Sequence, residues 1–254
     1  MLRSGNPALK ESTFLDLSSG AVVSREGDAM TLNGTVNKTA LLLFLAVLTA
    51  AFAWNQVAIG PEGISANFPL YLFGGLIGGL VFALATIFKP TWAPVTAPLY
   101  ALFEGLFLGA VSAVYDARFD GIVLQAVMCT MGTLFALLMA YRSGLVKATE
   151  NFKLGVTAAT GGIALIYLAT MVLGFFDIRI PYIHESGMIG IGFSLFVVVI
   201  AALNLVLDFD FIETGVEQGA PKYAEWVGAF GLMVTLVWLY LEFLRLLSKL
   251  QSRD

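Results

Sequence analysis

Hydrophobic residues form seven long runs, separated by short joints rich in polar residues, glycine and proline. A membrane-spanning helix needs about 20 predominantly apolar residues, which each run supplies or approaches. Before them, residues 1–37 are polar and contain no apolar run long enough to span a bilayer or to act as a signal sequence. The pattern therefore predicts a polar amino-terminal arm and, over residues 38–250, a transmembrane domain of seven helices. These helices are expected at about 39–59, 69–88, 97–115, 121–141, 154–176, 187–207 and 226–250.

Composition supports the same fold class. Hydrophobic residues make up 58% of the chain and charged residues 13%, whereas soluble domains have roughly 45–50% and 25%. We therefore predict an all-α membrane protein, a seven-helix bundle with the lipid bilayer as its surroundings. The net charge of −4 is modest, so a nucleic-acid partner is not expected. No segment requires a cofactor.

The distribution of lysine and arginine predicts the orientation. With the amino terminus in the cytosol, nine of the 14 basic residues fall on the cytosolic side, and the opposite loops contain only Arg118 and Arg179. Cytosolic loops of membrane proteins carry this excess of positive charge. Seven crossings leave the basic carboxy-terminal tail outside, and a re-entrant last helix is the alternative.

Three acidic residues lie within or at the ends of the apolar runs: Glu104, Asp208 and Glu242. An ionised acid at the centre of a membrane helix costs roughly 2.5–3.5 kcal/mol on insertion scales, so such acids indicate functional sites. Simpler interpretations remain open for two of them. Asp208 could be a boundary residue at the end of the sixth helix, and Glu242 could pair with Arg245 or extend toward the interface.

Glycines in the second segment are spaced for close helix packing. The sequence from Phe73 to Gly79 contains two interleaved patterns, Gly74 with Gly78 and Gly75 with Gly79. Small residues four apart allow a neighbouring backbone to approach closely. We expect them to pack helices within the chain rather than to form a dimer.

Three motifs resemble the Bax-inhibitor (transmembrane Bax inhibitor motif) family. They are the Asp208-Phe209 pair, the sequence Leu239-Tyr-Leu-Glu-Phe-Leu-Arg-Leu-Leu247, and Glu104-Gly-Leu-Phe-Leu-Gly109. The opening Ser4-Gly-Asn-Pro-Ala-Leu9 is more similar to a bacterial branch. The resemblance covers roughly residues 38–250. It implies a seven-helix fold with a central last helix, a pH-sensitive calcium leak, and a place in the bacterial inner membrane with the amino terminus in the cytosol.

The resemblance also implies a latch in which acids of the sixth and seventh helices share a proton. By position these are Asp208 and Glu242. Two adjacent carboxylates cannot both ionise cheaply, so they would titrate as a unit, and raising the pH would set like charges against each other. Asp208, Glu242 and Glu104 would supply the oxygen ligands that calcium prefers, and Asp208 and Glu242 are the candidate metal ligands. Protons and calcium, as the permeant ion, are the expected small partners.

Two features depart from the family pattern. The second helix has no arginine, which leaves Lys89 and Arg245 as candidate counter-charges. A plain hairpin would also place Asp208 and Glu242 roughly 15 Å out of register. A kink, or deeper entry of the last helix, would restore the pairing; otherwise Glu104 is the better partner for one of the two acids.

Other functional classes lack their characteristic residues. The Gly-x-Gly-Asp sequence of intramembrane aspartyl proteases is absent, and the only histidine, His184, lies in an expected loop, away from any membrane serine. We therefore do not expect an enzyme. Two alternatives to the leak channel remain. One is a proton-coupled transporter, and the other is a non-conducting regulator that binds a membrane protease or a stress-related or death-related partner.

Overall fold

The computed structural model describes residues 29–57, 59–60, 63–65, 67–174, 176 and 187–252. Most of the predicted arm (1–28) and the connection that contains His184 (177–186) lie outside these residues. The described residues form seven long helices and a pair of two-residue antiparallel strands. The helices are α1 Leu32–Gln56, α2 Phe68–Phe88, α3 Ala93–Asp116, α4 Ile122–Arg142, α5 Glu150–Gly174, α6 Met188–Glu217 and α7 Ala224–Gln251; the strands are β1 Ile59–Gly60 and β2 Gly63–Ile64.

All seven helices are long and apolar enough to cross a membrane, if α3 is counted with the 3₁₀ turn Pro90–Trp92 that precedes it. The predicted fold class, an all-α membrane protein with seven spans, is confirmed. Burial is greatest in the last helix: 78% of the most apolar stretch of α7 is buried, against at most 50% in any other span. The hydrophobic surface of α7 is therefore covered by protein, as a central last helix requires.

The chain divides into two compact units. The carboxy-terminal unit comprises Gly121–Phe209 and the described part of Thr235–Asp254, and thus contains α4, α5, most of α6 and the second half of α7. The amino-terminal unit comprises the described part of Pro7–Asp120 together with Asp210–Val234. It contains α1, α2, α3, the end of α6 and the start of α7.

Two helices extend furthest beyond the predicted apolar runs, α1 at its start and α6 at its end. α1 begins at Leu32, so residues 32–37 are helical and do not belong to the polar arm. Thr31 caps this helix, because its hydroxyl accepts a hydrogen bond from Gly34 N–H at 3.0 Å. α6 continues to Glu217, ten residues beyond the expected end at residue 207. Hydropathy detects only the part of a helix within the hydrocarbon, whereas this 30-residue helix is about 45 Å long.

In the amino-terminal unit, glycines bring helix backbones together. A Cβ atom on Gly75 of α2 would lie 2.5 Å from the backbone nitrogen of Phe107 in α3. A Cβ on Gly109 of α3 would overlap the carbonyl oxygen of Ala50 in α1. Gly74, by contrast, has no neighbouring atom within 4 Å of such a Cβ. Of the two interleaved patterns, the one that contains Gly75 therefore supplies the close backbone contact within the chain.

Candidate functional site

One face of α7 in the carboxy-terminal unit carries three charged residues. Glu242, Arg245 and Lys249 are spaced by three and four residues, which places them on the same side of a helix. Glu242 is 1% exposed and Lys249 is 5% exposed, whereas the side chain of Arg245 is 35% exposed. The last helix thus holds an acid and a base deep within protein and a second base at its partly open side.

Glu242 uses only one of its two carboxylate oxygens for hydrogen bonding. Its Oε1 accepts from Arg245 Nη1 at 2.7 Å and from the Tyr167 hydroxyl at 2.9 Å. Its Oε2 is buried and, within the part of the chain that the structure describes, has no hydrogen-bond partner. A buried carboxylate oxygen without a hydrogen-bond partner raises the free energy of the folded protein, because it has lost its hydrogen bonds to water and gained none from the protein. This oxygen is where a proton or a cation would be stabilised most.

Tyr167 of α5 holds the acid and the arginine together. Its hydroxyl donates to Glu242 and accepts from Arg245 Nη1 at 2.5 Å. The Arg245 guanidinium also lies 5.0 Å from the centroid of the Tyr167 ring, a cation–π distance. The ring itself packs edge-on against Phe193 of α6, with centroids 6.3 Å apart. Two neighbouring helices therefore position the groups that face Glu242.

Lys249 fixes the end of α7 to the beginning of α6. Its ammonium donates to Gly190 O at 3.0 Å and to Ser194 Oγ at 2.9 Å. It also interacts electrostatically with Arg245 and Glu242. Because α7 is one continuous helix whose end meets the start of α6, the last helix runs antiparallel to α6 along this length.

Asp208 lies in the interior of α6, nine residues before that helix ends at Glu217, and is fully buried. The side chain of Asp208 is therefore covered by protein. One turn earlier is the buried Asn204, whose amide donates to Thr160 Oγ1 and to Ile200 O, both at 2.8 Å. The middle of α6 thus presents polar groups to the protein interior.

The predicted hydrogen bond between Asp208 and Glu242 is not formed. The hydrogen bonds that Glu242 makes go to Tyr167 and Arg245. Lys249, seven residues after Glu242, binds Gly190 and Ser194 of α6, which lie 18 and 14 residues before Asp208. Because α6 and α7 run antiparallel here, about 7–11 residues of helix separate the levels of the two acids, or roughly 10–16 Å at 1.5 Å per residue. The register difference expected from the sequence is therefore present.

Glu104 and Lys89 both lie in the amino-terminal unit. Glu104 of α3 is half-buried, and its Oε2 occupies the space beside Gly79, 2.8 Å from where a Cβ of that glycine would be. Lys89 is exposed at the end of α2, with its ammonium 5.7 Å from the Trp92 ring centroid. Among the described residues Lys89 makes no ion pair, and the counter-charge found for Glu242 is Arg245.

A third buried acid, Glu225 at the start of α7, was not predicted from the sequence. It is fully buried in the amino-terminal unit and accepts hydrogen bonds from Thr31 N–H at 2.9 Å and Thr31 Oγ1 at 2.8 Å. It also pairs with Lys222 Nζ at 2.8 Å and with Lys38 Nζ. These four residues form what we call the Glu225 cluster. It joins the first turns of α1 and α7, and helical spacing within one segment could not have indicated it.

The described residues contain no group of three or more histidine, cysteine, aspartate or glutamate side chains that could hold a metal ion. Asp208 and Glu242, the candidate calcium ligands, are therefore not part of such a group.

The comparison with known families agrees with this arrangement of long apolar helices and buried acids. The family described as Bax inhibitor 1 like matches residues 6–252. The chain belongs to the Bax inhibitor 1 like family. No curated protein and no solved structure matches it. Together with the seven spans, membership of the Bax inhibitor 1 like family makes this a multi-pass integral membrane protein.

Proposed function

We propose that this protein is a pH-sensitive cation leak with calcium as the permeant ion, and that Glu242 is the acid on which proton and cation compete. The observation that carries the proposal is the buried Oε2 of Glu242, which has no hydrogen-bond partner among the described residues. Ionisable groups within membrane helices line ion and proton pathways more often than they serve packing alone. Membership of the Bax inhibitor 1 like family supports the same class of function.

The proposal differs from the latch expected from the sequence, because the groups that contact Glu242 are a hydroxyl and a base and not a second acid. The charged and titratable neighbours that face it are Tyr167 from α5 and Arg245 and Lys249 from α7. At low pH a protonated Glu242 no longer attracts a cation, while both basic residues keep their charge and repel it. Deprotonation restores the attraction. Flux is therefore expected to rise with pH.

Asp208 and Glu104 are proposed as further acids of the ion path, each within its own unit. Asp208 is fully buried in α6, and Glu104 is half-buried beside Gly79. The protein is proposed to lie in a bacterial inner membrane with its amino terminus in the cytosol. The excess of basic residues on that side supports this orientation. The first turns of α1 and α7 meet in the Glu225 cluster, which agrees with an even number of crossings between them.

The test is calcium flux through purified protein in liposomes between pH 5 and pH 8. Wild-type flux should rise over one or two pH units, and Glu242→Gln should remove most of that rise. Glu217→Gln is the matched control, since Glu217 is exposed at the end of α6. Flux that is equal at all pH values would contradict the gating.

The same assay separates the two other candidate functions. A non-conducting regulator would give no flux under any condition. A proton-coupled transporter would move protons against calcium in a fixed ratio and would saturate with calcium, whereas a leak would dissipate either gradient alone. If the wild-type protein behaves in either of these ways, the proposed function is contradicted and the corresponding alternative takes its place.

A further inference from the structure

We infer that Arg245 is a tethered cation that neutralises the Glu242 carboxylate in place of calcium and thereby keeps the leak closed. The inference rests on the proposed function and adds a residue that regulates it. The guanidinium of Arg245 and an incoming divalent cation compete for the buried carboxylate of Glu242.

The geometry of the pair supports this competition. Arg245 Nη1 lies 2.7 Å from Glu242 Oε1, so its charge already neutralises the carboxylate whose other oxygen, Oε2, would receive a cation. Both residues are on one helix, three positions apart, so the arginine needs no movement of a neighbouring helix to reach or leave the acid. Its side chain is 35% exposed while that of Glu242 is 2% exposed. The base can therefore swing outward, but the acid cannot follow it.

Tyr167 provides a second binding site for the displaced arginine. The hydroxyl accepts a hydrogen bond from Arg245, and the ring face lies at cation–π distance from the guanidinium. An arginine that leaves the carboxylate can keep the ring contact and return when the cation has passed. Tyr167 is thus a positioning residue for the competing base.

Lys249 makes the competition selective for charge. Its ammonium is fixed on Gly190 O and Ser194 Oγ and acts electrostatically on both Glu242 and Arg245. A cation at Glu242 must therefore overcome two neighbouring positive charges. A divalent ion doubles both its attraction to the carboxylate and its repulsion by Lys249, but Lys249 lies seven residues along α7 whereas the carboxylate contacts the ion directly. The attraction therefore exceeds the repulsion, and calcium displaces Arg245 more readily than potassium does.

The experiment measures calcium and potassium flux at pH 7.5 for Arg245→Gln, Arg245→Lys and Arg142→Gln in liposomes of the full chain. Arg245→Gln should raise calcium flux at least threefold and potassium flux by a larger factor, because the competing charge is gone. Arg245→Lys should restore most of the block. Arg142→Gln, at the exposed end of α4, should equal wild type.

A double variant, Glu242→Gln with Arg245→Gln, separates this role from a structural one. The rise in calcium flux expected for Arg245→Gln requires the carboxylate of Glu242. The calcium flux of the double variant should therefore be as low as that of Glu242→Gln alone. A gain that survives loss of Glu242 would mean that Arg245→Gln only loosens the helices, and it would overturn the inference. All variants are compared at equal monodispersity and helical content.

Failure of the inference is distinguishable from failure of the proposed function. Wild-type protein without flux removes the proposed function. If wild-type flux requires Glu242 but is unchanged in Arg245→Gln, only the inference about Arg245 is contradicted, and the proposed function stands. If Arg245→Gln does not fold, Tyr167→Phe replaces it as the decisive variant. That change keeps the ring and removes the hydroxyl that bridges acid and base, so calcium flux should rise about twofold, and an unchanged flux would overturn the inference.

Discussion

Arg245 Nη1 lies 2.7 Å from Glu242 Oε1, one helical turn away on the same last helix. This contact assigns Glu242 a counter-charge from its own helix, whereas the resemblance to the Bax-inhibitor family implied a second acid from the sixth helix. The two arrangements have different consequences for titration. Two acids that share a proton titrate as a pair. Where an acid lies beside an arginine, the guanidinium and an incoming cation compete for its carboxylate.

The first prediction follows from the separation of Asp208 and Glu242. Sites more than about 7–10 Å apart usually contribute independently to stability, within about 0.3–0.5 kcal/mol. The effects of Asp208→Asn and Glu242→Gln on the free energy of unfolding should therefore add in the double variant. Denaturant titration in detergent micelles measures the free energy of unfolding of both single variants and of the double variant. An interaction energy above about 1 kcal/mol would indicate that the two acids meet in a populated state after all.

Much of the fold could be predicted because bilayer thickness sets the length of an apolar run. Each predicted segment corresponds to one helix, and the differences lie at the ends. Leu32 to Asn37 are helical although they look polar, because Thr31 caps the helix and Glu225 binds the Thr31 backbone from far along the chain. Such a long-range partner leaves no periodic signal in the sequence.

The candidate site was predictable only in part. Depth within an apolar run identified Glu242 and Asp208, and both are buried. The partner of Glu242 from α5 was not predicted, since Tyr167 has the appearance of an ordinary aromatic residue within a span. A polar face did provide one usable signal. Glu242, Arg245 and Lys249 recur at helical spacing, and that spacing already favours a pair within the helix over a pair between helices.

The second prediction concerns helix packing in the amino-terminal unit. Gly75→Ala would place a methyl group 2.5 Å from the Phe107 nitrogen and 2.8 Å from the Phe103 oxygen, both of them backbone atoms that cannot rotate away. Overpacking of this kind costs about 1–3 kcal/mol. Gly74→Ala is the control, since the space there is open, and alanine is the better helix former by about 0.5–1 kcal/mol. Thermal unfolding in detergent should rank Gly75→Ala below wild type and Gly74→Ala at or slightly above it.

Equal unfolding temperatures for the two alanine variants would show that α2 and α3 can separate without loss. In that case the close approach at Gly75 would not contribute to stability.

The last prediction concerns the Glu225 cluster, in which a fully buried carboxylate binds two lysines of unequal exposure. The Lys38 side chain is 19% exposed and also lies 5.4 Å from the Trp226 ring centroid, whereas the Lys222 side chain is 48% exposed. Screening by water reduces the value of an exposed pair to about 0–1 kcal/mol. Loss of a hydrogen bond to a buried charge costs more, about 1–3 kcal/mol. Lys38→Met should therefore destabilise the protein by about 1–3 kcal/mol, and Lys222→Met by less than about 1 kcal/mol.

The two lysine variants are matched controls for each other, because each removes one positive charge beside the same acid. A general loss of positive charge would lower both unfolding midpoints equally, and an equal loss would contradict the ranking. High salt provides a further check. It should weaken the contribution of the exposed Lys222 and leave that of Lys38 nearly unchanged, because screening acts on pairs that water reaches. The difference between the two variants should therefore widen as salt is added.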